Sequence, residues 1–568
     1  MKYPAYLFIF FLICAGLFLP RTGLSSLLSR NTPILPVQQN PSLRVLLLPL
    51  DSRPPCLQFV IDAAKIANIE LVTPPQDILD YYTEPANRPA LRSWVEKNIG
   101  SVDAAILSID QLTHGGLLAA RENTGNTDDE NQTLLFLTQL HETNPMVPLY
   151  TFHVLPRLQP PASIDSYEDR KNLIKYSRLL DELTIFNNPE DLHTLRKLEE
   201  KIPEEIRKKY ARIYRNNTLF NEKLLQMTNT GIMHTFFIGQ DDSEDFGLPN
   251  IEKRQLQQDI TQQNNSSQVI LTRGADEIAL MQLAQIYRQK TENKPFQVWV
   301  EYNAPEAAGI LMPFMSGSVE STVRDKISAM GGVRASTPEE ADFTLFVYIG
   351  NESLLSSRKK SCERLQTLLH EGKFVALVDL SEHFRAEETL FPQLIQNELP
   401  INQLIAYAGW NTTSNAVGTA LSQAVLFCTR FQAVANRQEK IELYRYNLTF
   451  LNNRFLEDYY YLKDLIDTVN ANLKKAGTEN VYDLDSNRSY RFANELLFTG
   501  LQQRISYLKN TSAYQKPVHI KSHDPFLLYI KDLQADAFFP WPRTFEIRLE
   551  STLYLETPLS KNSPDVLP

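Results

Sequence analysis

Reactive side chains in this sequence gather where apolar runs stop. RVLLLPL is followed by Asp51 and Arg53, AAILSI by Asp110 and His114, and TFFIGQ by Asp241 and Asp242. QVILT leads into Arg273, Asp276 and Glu277, LIAYAG into Trp410, Asn411, Thr412 and Asn415, and FVALV into Asp379, Ser381 and His383. Carboxylates and imidazoles move protons, guanidinium groups clamp oxyanions, and amides and hydroxyls bind polyols. Where parallel strands build an α/β fold, ligands bind outside the carboxyl ends of the strands, so the pattern predicts one shared site.

Asp241 and Asp242 are the expected catalytic pair. Neighbouring side chains on an extended segment point to different sides, so one can face a substrate while the other engages a partner. Crowding two acids in a cleft raises the pKa of one, which suits a general acid; capping of a helix near Ile251 is the bland alternative. Asp51 and Arg53 extend to the same side and either clamp a ligand or pair with each other. Asp110 and His114 precede Gly115 and Gly116, which permit close backbone approach, and Arg121 follows a helical turn later. Of Arg273, Asp276 and Glu277, one acid has an alternative role at a helix N-terminus. In GWNTTSNAVGTA, Trp410 suits a sugar face and Asn411, Thr412 and Asn415 suit its hydroxyls, against the alternative of a capped helix packed through Ala416, Gly418 and Ala420. Asp51, Arg53, Asp110, His114, Arg121, Arg273, Asp276, Glu277, Trp410, Asn411, Thr412 and Asn415 are expected to bind substrate.

A metal reading would use Asp51, Asp110, His114, Asp241 and His383, which have the right donors but no ligand spacing. No metal site and no cofactor is expected: the chain has no GxGxxG, P-loop, GxSxG or HExxH. A net charge of -10 and the lack of a basic stripe exclude nucleic acid as the main partner. The expected partner is a small-molecule or polysaccharide substrate.

The first 21 residues carry Lys2, an apolar run from Tyr6 to Leu19, and then Pro20 and Arg21. This predicts a signal peptide or an uncleaved anchor in the cytoplasmic membrane, hence an exported protein of the envelope or exterior. Past this leader only Cys56, Cys362 and Cys428 remain, expected as buried free thiols.

Residues 22–42 read as a linker. Alternating strands and helices from 43 to 292, with a helical insertion at 166–230, predict a first α/β domain, and residues 293–430 a second. A helical segment at 431–510 and a β-rich element at 511–568 follow. Near-continuous Val, Ile and Leu runs predict doubly wound, mostly parallel sheets, the alternative being an elaborated (β/α)8 barrel.

PLDSRPP, DQLTHGG, GQDDS, RGADE, GWNTTSNAVGTA and RFLEDYYY together resemble the bacterial family known as domain of unknown function 4127. That resemblance spans about residues 43–510 and implies exported or envelope proteins without implying a reaction. The residues themselves point first to an extracytoplasmic hydrolase of glycosides or envelope carbohydrate with strand-end acids as acid/base groups. A two-lobed non-catalytic binding protein and a metal-dependent hydrolase are the alternatives.

Overall fold

Strands buried on both faces cannot alternate polar and apolar residues, and the runs of this chain accordingly assemble into two parallel sheets with helices over them. The computed structural model describes residues 40–558 except 123–126, 264–267 and 293, together with the backbone of Asn31–Ile34. The leader lies outside the described residues. Among those residues no helix is long and apolar enough to cross a membrane.

In chain order the strands are β1 (Asn31–Ile34), β2 (Leu43–Leu48), β3 (Ile69–Val72), β4 (Ala104–Ser108) and β5 (Leu149–Leu155). There follow β6 (Thr235–Gln240), β7 (Val269–Arg273), β8 (Gln297–Tyr302), β9 (Val333–Arg334) and β10 (Phe343–Gly350). The last are β11 (Val375–Ser381), β12 (Ala406–Ala408), β13 (Val518–Ile520), β14 (Phe526–Phe538) and β15 (Arg548–Pro558). The first sheet has six strands in the order β3-β2-β4-β5-β6-β7, and the second has five in the order β9-β8-β10-β11-β12. Every pairing within both is parallel. Each sheet is open, with two edges, so the barrel alternative does not form. Each also begins with its second strand outside its first, which creates a switch point between β2 and β4 and another between β8 and β10.

The insertion between β5 and β6 is three helices, Tyr167–Phe186, Pro189–Lys201 and Glu204–Asn229, with a small core of its own. The two lobes meet through helices Ile278–Thr291 and Thr413–Ala433, both buried over most of their length. Gly418 makes this approach possible, because a Cβ there would press on Glu277 and Met281. The segment read as a linker contributes β1, which pairs with β15. Together with β13 and β14 it forms a small antiparallel sheet, against which helix Ser489–Lys509 packs. Cys56, Cys362 and Cys428 are free and buried.

Candidate active site between the lobes

At the carboxyl edge of the first sheet lies a cavity of about 250 Å3. The first lobe contributes Arg53 after β2, Arg121, Asp241 and Asp242 after β6, and Arg273 and Asp276 at the end of β7. The second lobe contributes Asn411, Thr412 and Asn415 at the start of helix Thr413–Ala433, with Phe314 and Met315 from the loop before helix Val319–Ala329. Arg543 and Phe545, from the β14–β15 connection, close the remaining side. Distant parts of the chain thus meet here, and nine of the residues singled out from the sequence line the cavity.

Arg53 organises the floor. Its Nη2 lies 2.7 Å from Asp51 Oδ2 and 2.7 Å from Asp276 Oδ1, and its Nε donates to Asp51 Oδ2 at 2.9 Å. Both readings of the Asp51–Arg53 pair therefore hold in part: Asp51, fully buried, fixes Arg53, and Arg53 faces the cavity. Arg121 grips Asp241 Oδ2 through Nε at 2.8 Å and Nη2 at 2.5 Å, while Asp241 Oδ1 accepts the Asp242 amide at 2.9 Å. These contacts separate the two acids electrostatically. Burial disfavours ionised Asp241, but the charges of Arg121 and Arg157 hold its carboxyl below the usual range. Asp242 is pushed up to about 6 by burial and by the charge of Asp241. One acid is kept as an anion beside another that holds its proton up to about pH 6, the kind of split that general acid chemistry uses.

Glu277 has a different task from the one expected. It is buried beneath the cavity, where Lys326 Nζ lies 2.5 Å from its Oε1. Ser414 donates to the same oxygen at 2.6 Å and Asn415 Nδ2 to Oε2 at 3.1 Å. Glu277 belongs to the first lobe and its three partners to the second, so this is a joint between lobes. Gly274, at φ +82°, is required there, because a Cβ would strike both Glu277 and Ser414. Arg273 is held by Asp325 and is packed against Gly317.

Asp110 and His114 line an adjoining space of about 40 Å3, which shares Arg121 and Asp241 with the main cavity. The ionic partner of Asp110 is His153 Nδ1 at 3.1 Å, and its Oδ2 also accepts the Val154 amide at 3.0 Å. Burial opposes a charge on His153, yet Asp110 raises its pKa; burial takes His114 down to about 4. Trp410 does not face the cavity. It is 1% exposed, with Phe59 at 6.2 Å and Phe545 at 5.9 Å between ring centroids, so its ring belongs to the core. The RFLEDYYY motif braces it: Arg454 pairs with Glu457 and Asp458 at 2.7 Å each, and Asp458 Oδ2 accepts the Gly409 amide at 2.9 Å. This stretch is a π-helix, Phe455–Leu465.

Asp379 and His383 lie away from the cavity, at the end of β11. Asp379 accepts the amides of Leu390 and Phe391 and the Tyr407 hydroxyl, and Ser381 and His383 both bond to Glu388. Among the described residues no three His, Cys, Asp or Glu side chains gather to hold a metal ion, so the metal set of Asp51, Asp110, His114, Asp241 and His383 does not assemble.

Several residues of the cavity wall, and Lys253 and Asp80 behind it, are not among those singled out from the sequence. Gln240 ends β6 one residue before the acids, and Ser243 follows them. Lys253 donates to Gln240 at 2.9 Å and is brought down to about 7 by burial and the charge of Arg273. Asp80 is raised to about 7 by burial and by Asp51, beneath the Ser52 amide it accepts at 2.9 Å. Arg543 and Phe545 were signalled by FPWPRTFE, a Pro-flanked aromatic and charged stretch at odds with a plain β tail. Phe314 and Met315 carry no such mark.

No curated protein and no solved structure matches the chain. A family model does, over residues 45–550, a span that takes in every wall of the cavity. The chain therefore belongs to the family described as Protein of unknown function (DUF4127).

Proposed function

We propose that this chain is an extracytoplasmic hydrolase acting on a glycoside or cell-envelope carbohydrate, with the cavity between its lobes as the active site. The observation that carries the reading is the divided acid pair, an arginine-held Asp241 anion beside an Asp242 raised to about 6. In this reading Asp242 protonates the leaving oxygen and Asp241 stabilises developing positive charge. Adjacent carboxylates cannot flank a bond from both sides, so Asp276, the third acid of the cavity, is the group that activates water. Asn411, Thr412 and Asn415 orient hydroxyls. Phe545 and Phe314, rather than Trp410, offer apolar surface to a ring.

The test is hydrolysis of a panel of aryl glycosides by the purified chain and by Asp242→Asn. General acid catalysis is worth about 10²–10⁴ in rate, so that variant should lose this much turnover while its thermal midpoint does not fall. Rate should decline as pH rises through about 6, where Asp242 loses its proton. Equal turnover by variant and parent would sink the assignment.

A second reading, a non-catalytic binding protein, is supported by the position of the cavity between two α/β lobes that both line it. It predicts saturable binding with no turnover in either protein.

A further inference from the structure

Beyond Arg121 and Arg543 the cavity opens into a groove of about 840 Å3. Those two residues line both spaces, so a ligand seated against Asp242 can extend into the groove. The charges along it are mostly spoken for. Arg88 pairs with Asp129 at 2.7 Å, Arg543 with Glu546 at 2.8 Å, and Glu122 accepts the amides of Ala162 and Ser163.

Arg157 is the exception. It follows β5, and its carbonyl is fixed by the Tyr214 hydroxyl of the helical insertion at 2.8 Å. Its guanidinium has no hydrogen bond or ion pair among the described residues, and its Nε is buried without a partner. Burial, followed by repulsion from Arg121, lowers its pKa, and the charges of Asp241, Asp242 and Glu122 only partly offset this. Arg121 spends Nε and Nη2 on Asp241, which leaves its Nη1 without a partner among the described residues. A buried guanidinium nitrogen left unpaired, as Arg157 Nε is, is costly unless something binds it. A planar fork beside a second guanidinium is suited to a carboxylate or phosphate.

We infer that the groove is a subsite for an oxyanion carried by the substrate, held by Arg157 with help from Arg121, so that the substrate is an acidic sugar and not a neutral one. This rests on the carbohydrate reading of the cavity, but it concerns binding alone. The shared chemistry is an oxyanion on a hydroxyl-bearing ring, either the carboxylate of a uronic acid or a phosphate ester.

The experiment is calorimetric titration of the full chain and of Arg157→Gln and Arg157→Lys with glucuronate, glucose 6-phosphate and glucose. Circular dichroism and thermal midpoints verify that each variant is folded. The parent should bind at least one anion about tenfold or more tightly than glucose, and the preferred anion tells carboxylate from phosphate. Arg157→Gln should bring that ratio close to one, and Arg157→Lys, which keeps the charge but loses the fork, should retain part of it. A parent that binds neither anion better than glucose overturns the proposal, as does an Arg157→Gln protein with the parental ratio. Anion binding through Arg157 without cleavage of any glycoside would refute the hydrolase and leave this subsite standing. Cleavage of neutral glycosides with no anion preference would do the reverse.

Discussion

The two parallel sheets share a winding but use their strand ends differently. At the switch point of the first, the groups after β2 reach outward: Arg53 spans to Asp276 beyond β7, and the edge carries a cavity. At the switch point of the second, Asn303 bonds to both the amide and the carbonyl of Ile349, and to Ser357. Further along, Asp379 is consumed by two amides and a hydroxyl. Both acids, Asp242 and Asp379, are raised to about 6, with burial as the first cause. Asp379 has three hydrogen-bond donors set against that burial, whereas Asp242 faces Asp241 and an open space. The same topology thus yields a site in one lobe and a sealed support in the other. What separates them is that Asp242 keeps a face on an open space whereas Asp379 is covered by donors.

The largest effect should come from cutting the joint that holds the two lobes together. Lys326→Met leaves Glu277 buried without its cation and should destabilise the protein by about 3–5 kcal/mol, read by urea denaturation. A loss below about 1 kcal/mol would mean that the lobes are held by apolar packing alone. Next, Asp379→Asn turns an amide nitrogen toward a backbone N–H and should lower stability by about 1–3 kcal/mol. Binding of any ligand in the cavity should be untouched; weakened binding would place the second lobe's strand end in the site after all.

The smallest effect sharpens the comparison most. A carboxyl whose folded pKa lies near 6, above the unfolded value of about 3.9, binds its proton more tightly when folded. Its contribution is therefore present at low pH and is lost as pH rises through about 6. Asp242→Asn should flatten the stability profile between pH 4 and 6 and leave the protein slightly more stable than its parent at pH 7. Asp379→Asn should be less stable there. If Asp242→Asn also loses stability at pH 7, Asp242 is a structural acid like Asp379.

Much of this was legible because burial leaves a strong mark on composition. A strand covered on both faces must be apolar throughout, and where its polar residues resume the sheet edge has been reached, which is how Asp51, Asp241, Arg273 and Asn411 were picked out. The helical insertion was equally plain from its Leu spacing among Lys and Glu. Trp410 misled, since an aromatic beside Asn and Thr looks the same whether its ring faces a sugar or Phe59 and Phe545. Glu277 misled for a related reason: Lys326, its partner, is 49 residues away on a helix of the other lobe. His153 was hidden inside an apolar run, and β1, β9 and β13 are too short to show a pattern.

By itself the sequence determined the α/β class, the parallel strands and the cluster of strand ends that hold the reactive groups, because those follow from local periodicity and from chain direction; that the sheets stay open and do not close into a barrel was decided by the tertiary structure. Only the tertiary structure decided which acids stay ionised, which cations find partners, and that the Arg157 guanidinium has no hydrogen bond or ion pair among the described residues. Those outcomes depend on distances of a few ångströms between residues far apart in the chain, where burial and opposite charge compete at similar strength.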